Sequence, residues 1–147
     1  MVKKTKRIVV ILLLFAVTVV ILLCPKHVMT KSDNIIMADL VLKHDGGQNT
    51  NFFKISESQY ESLQAILLEL CCRNTIVYSA NDLYNNDPSL ILYVAYTTAN
   101  DQVGSFSMTF WTDYSYGPII VDSGNVLKQI IINHDGLEHR IYGLIEK

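Results

Sequence analysis

The sequence predicts an α+β fold: an N-terminal transmembrane helix, then one helix packed on a mostly antiparallel sheet of six to eight strands. Three observations predict it. Ile8 to Cys24 is apolar at every position except Thr18. A single amphipathic helical pattern starts near Ser58. The remainder is a series of short β-patterned runs separated by turn-forming residues.

The apolar run dominates the composition. The chain has 147 residues, 50% hydrophobic and only 18% charged. Fourteen of the sixteen residues 8–23 are Leu, Ile, Val or Phe. At about 0.3–0.6 kcal/mol each, they favour bilayer insertion by at most roughly 4–8 kcal/mol. Lys3, Lys4, Lys6 and Arg7 precede the run with no acidic residue among them. Such a flank stays cytoplasmic and directs the rest of the chain outward.

Three readings of residues 1–25 compete: a retained helix, a cleaved signal peptide and a lipoprotein signal. A cleavage site wants small residues in the A-x-A manner, and Leu22-Leu23-Cys24 and Val28-Met29-Thr30 lack them. A lipidated Cys follows a small residue, whereas Cys24 follows Leu23. The retained helix is the expectation, with membrane lipid its partner over residues 8–24. Residues 1–7 are then a cytoplasmic basic N-terminus, 25–33 a juxtamembrane spacer and 34–147 an extracytoplasmic domain.

Beyond the run, 8 basic residues face 14 acidic ones, a net −6. Phosphate backbones are gripped by clustered Lys and Arg, so nucleic acid is not an expected partner.

The β pattern opens at Ile35 to Lys43. The turn formers from His44 to Asn49 and a return strand at Phe52 to Ile55 complete a hairpin. Ser58 with Glu61 fits a capping box, and Tyr60, Leu63, Ile66, Leu67, Leu70 and Cys71 recur on one helical face up to a stop at Asn74. Strands are expected at Ile76 to Ser79 and, centrally, at Leu90 to Thr97. A further strand spans Val103 to Trp111, where Phe106, Met108 and Phe110 alternate with Ser105, Ser107 and Thr109. Ile119 to Val121 and Val126 to Ile132 continue the series. Asp135-Gly136 reads as the turn of a hairpin whose last strand is His139 to Ile145.

Few residues suggest chemistry. Neighbouring Cys71 and Cys72 are too close for an unstrained disulfide, and Cys71 continues the core face. The tripeptides His44-Asp45-Gly46 and His134-Asp135-Gly136 would form a metal site only if two hairpin tips met, and a turn explains each more simply. The loop with Asp82, Asn85, Asn86 and Asp87 lacks the glycine and closing glutamate of a calcium loop. No nucleophile elbow or phosphate-binding glycine loop occurs. No cofactor, metal or catalytic residue is expected, and an enzyme has no positive support.

The aromatic cluster Trp111, Tyr114 and Tyr116, set among Asp113, Ser115, Gly117 and Pro118, is the candidate binding site. Flat apolar rings with polar tips suit a peptide, protein or cell-wall glycan. Tyr93, Tyr96 and Tyr142 fall in expected strands and read as structural. The sequence therefore points to a membrane-anchored extracytoplasmic binding or interaction module. A toxin-immunity or sensor-regulatory membrane protein is one alternative, and an uncharacterised enzyme is the other.

The succession of basic residues, apolar helix, hairpin, capped helix and antiparallel strands, closing on Arg140-Ile141-Tyr142-Gly143, resembles small uncharacterised extracytoplasmic proteins of Gram-positive bacteria. That resemblance implies the organisation and an extracytoplasmic setting. It implies no activity and no functional residues.

Overall fold

A computed structural model of the chain describes residues 2–44, 49–74, 90–110, 119–122 and 129–145. Its class is α+β. The helices are α1 (Val2–Leu23), α2 (Tyr60–Glu69) and α3 (Leu137–Tyr142). The strands are β1 (Lys26–His27), β2 (Asn34–His44), β3 (Asn49–Lys54), β4 (Cys71–Asn74), β5 (Leu90–Thr97), β6 (Val103–Phe110), β7 (Ile119–Asp122) and β8 (Gln129–Ile131). They form one sheet in the order β1-β4-β8-β7-β6-β5-β2-β3, every pairing antiparallel.

Cross-strand register shows why the alternating residues choose their sides. Leu40, Leu92 and Met108 lie opposite one another along a row, as do Leu42, Leu90 and Phe110. All six are buried, facing α2 and α3. A bulge between Ile35 and Met37 absorbs Ile36, so Ile35 and Ala38 are both buried although three positions apart. Regular alternation would have put them on opposite faces.

The helical layer closes over this side. Leu63, Ile66 and Leu67 of α2 are buried, with Leu70 just past its end, and Leu137, Ile141 and Leu144 join the same core. The Gln59 side-chain amide donates to the Leu144 carbonyl, joining the start of α2 to the end of the C-terminal segment. Asn133 accepts from the Cys71 N–H at 2.7 Å and donates to the Glu69 carbonyl at 2.7 Å. Arg140 reaches Glu69 at 2.7 Å, but both are exposed, so the pair contributes little.

Several expectations are corrected. The helix cap is Ser56 with Gln59, not Ser58 with Glu61: the Gln59 Oε1 accepts from the Ser56 N–H at 3.0 Å, ahead of a 3-10 turn over Glu57–Gln59. The helix stops at Glu69 rather than running to Asn74. Cys71 to Asn74 instead form β4, held by pairing to β8 and β1. The proposed spacer is part of the fold, because β1 pairs with β4 and Met29 and Asp33 are buried. Buried Asp33 is satisfied: its carboxylate accepts from the Thr30 N–H at 2.7 Å and hydroxyl at 2.9 Å.

The last expected strand is helix α3. Leu137 and Ile141 lie one turn apart on α3 and Leu144 follows in the turn just past its end, an arrangement that buries all three, whereas a strand would split Ile141 from Leu144. Gly136, with φ at +68°, forms the turn into it. The expected strand at 76–79 and the acidic loop at 82–87 lie outside the described residues.

The membrane expectation for residues 8–24 is met by a helix but not by a span. Among the described residues, no helix is long and apolar enough to cross a membrane. From Ile8 to Leu23 the apolar part of α1 is about 24 Å long, against a hydrocarbon core of about 30 Å. Even so, most of the large apolar side chains of α1 face outward. Twelve large apolar side chains between Ile8 and Leu23 are exposed, from 40% at Leu23 to 68% at Phe15.

Candidate functional site

The helices cover one face of the sheet, and the other face carries the candidate site. Strand register places Asp39 beside Tyr93 and Tyr93 beside Ser107; in the next row Met37, Ala95 and Ser105 align. Asp39, Tyr93, Ala95 and Ser107 lie between residues whose side chains point into the core, so alternation sends them outward, and register sets Met37 and Ser105 on either side of Ala95. Tyr93 and Met37 remain 43% and 44% exposed.

Here the sheet surface is concave. A depression of about 430 Å³, open to solvent, is lined by Met37, Tyr93, Ala95, Ser105 and Ser107, with Val94 and Phe106 beneath. Its walls are mainly apolar, and the two serines and the Tyr93 phenol supply the hydrogen-bonding groups. Tyr96, one position on from Ala95, belongs to the core side and packs its ring 6.0 Å from that of Phe106. Across the sheet it lies opposite Gly104, where an added Cβ would come within 2.6 Å of the Tyr96 ring. The lack of a side chain at Gly104 is what lets that ring lie close against β6.

Such a surface suits a partner with an extended apolar segment and a few polar groups. Its described lining residues include no carboxylate pair and no cluster of metal ligands. Among the described residues no group of three or more His, Cys, Asp and Glu is placed to hold a metal ion.

The sequence-predicted residues fare unequally. Trp111, Tyr114 and Tyr116 lie outside the described residues, although their stretch comes directly after β6, which lines the depression. Phe110, beside them in sequence, is a buried core residue. Tyr96 and Tyr142 pack against the core as expected, whereas Tyr93 points away from it. Alternation carried that signal: inward Leu92 and Val94 require an outward Tyr93. The strand ends bearing His44 and His134 belong to β2 and to the segment after β8, with β5, β6 and β7 between them. At about 4.8 Å per strand they are roughly 19 Å apart, too far to share an ion.

The thiols also differ from expectation. All three are free, and the buried one is Cys72, not Cys71. A strand sends adjacent side chains to opposite faces, so Cys72 enters the core and donates to the Gln129 Oε1 at 3.3 Å. Cys71 faces His27 across the β1–β4 pair, Sγ to Nδ1 3.8 Å. Burial, reinforced by neighbouring Cys71, pushes the Cys72 thiol above its ordinary range. Its protonated form thus contributes to stability below that range and ceases to do so as pH rises through the elevated value. In the folded chain, maleimide at neutral pH is expected to label Cys71 at least tenfold faster than Cys72, because the thiolate is the nucleophile. Peptide mass spectrometry checks this; equal labelling would place Cys72 outside the core.

No family model, no curated protein and no solved structure matches the chain.

Proposed function

We propose that the chain is a membrane-anchored binding module that holds an extended apolar segment of a peptide or protein against the open sheet face. The observation that carries the binding role is the depression around Met37 and Tyr93, an apolar hollow on a face that none of the described helices covers. Its few polar groups favour a peptide over a glycan, which needs denser hydrogen bonding. The aromatic stretch 111–118, with Trp111, Tyr114 and Tyr116, follows β6 in sequence and stays a second candidate for the ligand contact.

The anchor is supported by the exposed apolar shell of α1. Apolar side chains on all sides of a helix call for burial in a nonpolar medium. The apolar part of α1, Ile8 to Leu23, is about 24 Å long. Lys6 and Arg7 can snorkel, and a slight local thinning of the bilayer closes the remaining gap. The basic residues before it keep the N-terminus in the cytoplasm and send the sheet outside.

Peptide display against the full chain in lipid nanodiscs tests the site. Apolar extended sequences should be enriched, and Tyr93→Arg or Ser107→Arg should weaken the selected peptides at least tenfold with circular dichroism unchanged. Trp111→Ala and Tyr116→Ala measure the share of the adjoining stretch. Peptides that bind the Tyr93→Arg chain equally well would remove the site.

A further inference from the structure

The two edges of the sheet are built differently. One edge is β1, only two residues long, preceded by Pro25 and carrying Lys26. Shortness, proline and lysine all discourage pairing with another strand. The other edge is β3, six residues reading Asn-Thr-Asn-Phe-Phe-Lys, with no proline or glycine and its one charge at the end. Thr50 to Lys54 are all exposed. Phe52 lies opposite Val41 on the open face and Phe53 opposite Leu40 on the helix side, and they are 77% and 37% exposed. An aromatic thus projects on each side of an edge that no described strand covers.

We propose that β3 is a self-association strand, pairing antiparallel with β3 of a second copy so that two sheets become one. The geometry favours a second copy over an unrelated peptide because this edge complements itself. On an edge strand, alternate residues turn their N–H and C=O outward. A twofold axis perpendicular to the sheet therefore matches only residues of the same parity. Centred on Phe52, it sets Phe52 against its counterpart on the open face, Asn51 against the other copy's Phe53, and Thr50 against the other copy's Lys54. The two lysines are kept apart, and both phenylalanines gain cover. Aromatic cross-strand pairs of this kind are stabilising. The contact is smaller than the roughly 800 Å² per partner of standard interfaces. It is therefore a weak association in dilute solution that confinement of both chains to one bilayer would strengthen.

Cysteine cross-linking of the full chain in nanodiscs, in a Cys24→Ser, Cys71→Ser background, tests the register. Directly opposed residues stand about 4.5–5.5 Å apart between Cα atoms, within the range a disulfide bridges. A mixture of Thr50→Cys and Lys54→Cys chains should therefore form a disulfide dimer under mild oxidation. Neither variant alone should do so, since each residue lies about 14 Å from its own copy. Adding Phe52→Lys to both chains should reduce the cross-linked dimer at least tenfold with the circular dichroism spectrum unchanged. Dimer formation by Lys54→Cys alone, or no more from the mixture than from the single variants, would overturn the proposal.

Discussion

Replacing Ile141 with Ala is expected to lower the unfolding free energy by about 2–5 kcal/mol, the usual cost of truncating a fully buried aliphatic side chain. Leu144→Ala should fall in the same range, since Leu144 is also buried. Their combination should be non-additive by about 0.5–3 kcal/mol if the two residues pack as neighbours in one core. His139→Ala should change stability by less than about 0.5 kcal/mol, because that side chain is exposed. The pattern separates helix from strand. A strand would place His139 and Ile141 on one face and Leu144 on the other, making only one aliphatic position sensitive. Urea denaturation of the detergent-solubilised chain measures all four, and an insensitive Leu144 would refute the arrangement of α3 and the turn that follows it.

Charges introduced into α1 should act in steps. The apolar run favours insertion by roughly 4–8 kcal/mol, and one arginine near its middle opposes it by about 2.5–3.5 kcal/mol. Leu13→Arg alone is therefore expected to leave the chain in the membrane fraction. Leu13→Arg with Val17→Arg brings the balance near zero and should release half or more of it. Alkaline carbonate extraction followed by blotting reads the outcome. A parent chain that extracts as freely as the double variant would show that α1 is not held by lipid, and the exposed shell from Ile8 to Leu23 would then need a protein cover.

Both predictions concern places where local pattern alone was a poor guide. The long strands were legible because burial reinforces alternation: Phe106, Met108 and Phe110 face inward in β6 as their spacing demands. The chain after Leu70 was not. Leu67, Leu70 and Cys71 fit a helical face, and what turns Cys71 to Asn74 into β4 is pairing with residues more than fifty positions away. Asp135-Gly136 is equally ambiguous, since a glycine with positive φ serves a hairpin or leads into a helix. Only the company kept by Leu137, Ile141 and Leu144 decides between them. At the candidate site, Tyr93 was hidden in plain pattern. A tyrosine inside an apolar strand reads as core until the flanking Leu92 and Val94 claim the inward positions. Trp111, Tyr114 and Tyr116 stand on residues the structure does not describe.

Only Cys24 and Pro25 separate the end of α1 from β1, and β1 is hydrogen-bonded into the sheet. Two residues reach about 7 Å when fully stretched. With α1 in a bilayer, the sheet therefore has almost no tether: it rides against the headgroups and cannot sweep outward to find its ligand. Under the proposed anchor, a ligand beside Tyr93 would have to arrive at the lipid surface itself, which favours the juxtamembrane part of another membrane protein over material deep in a cell wall.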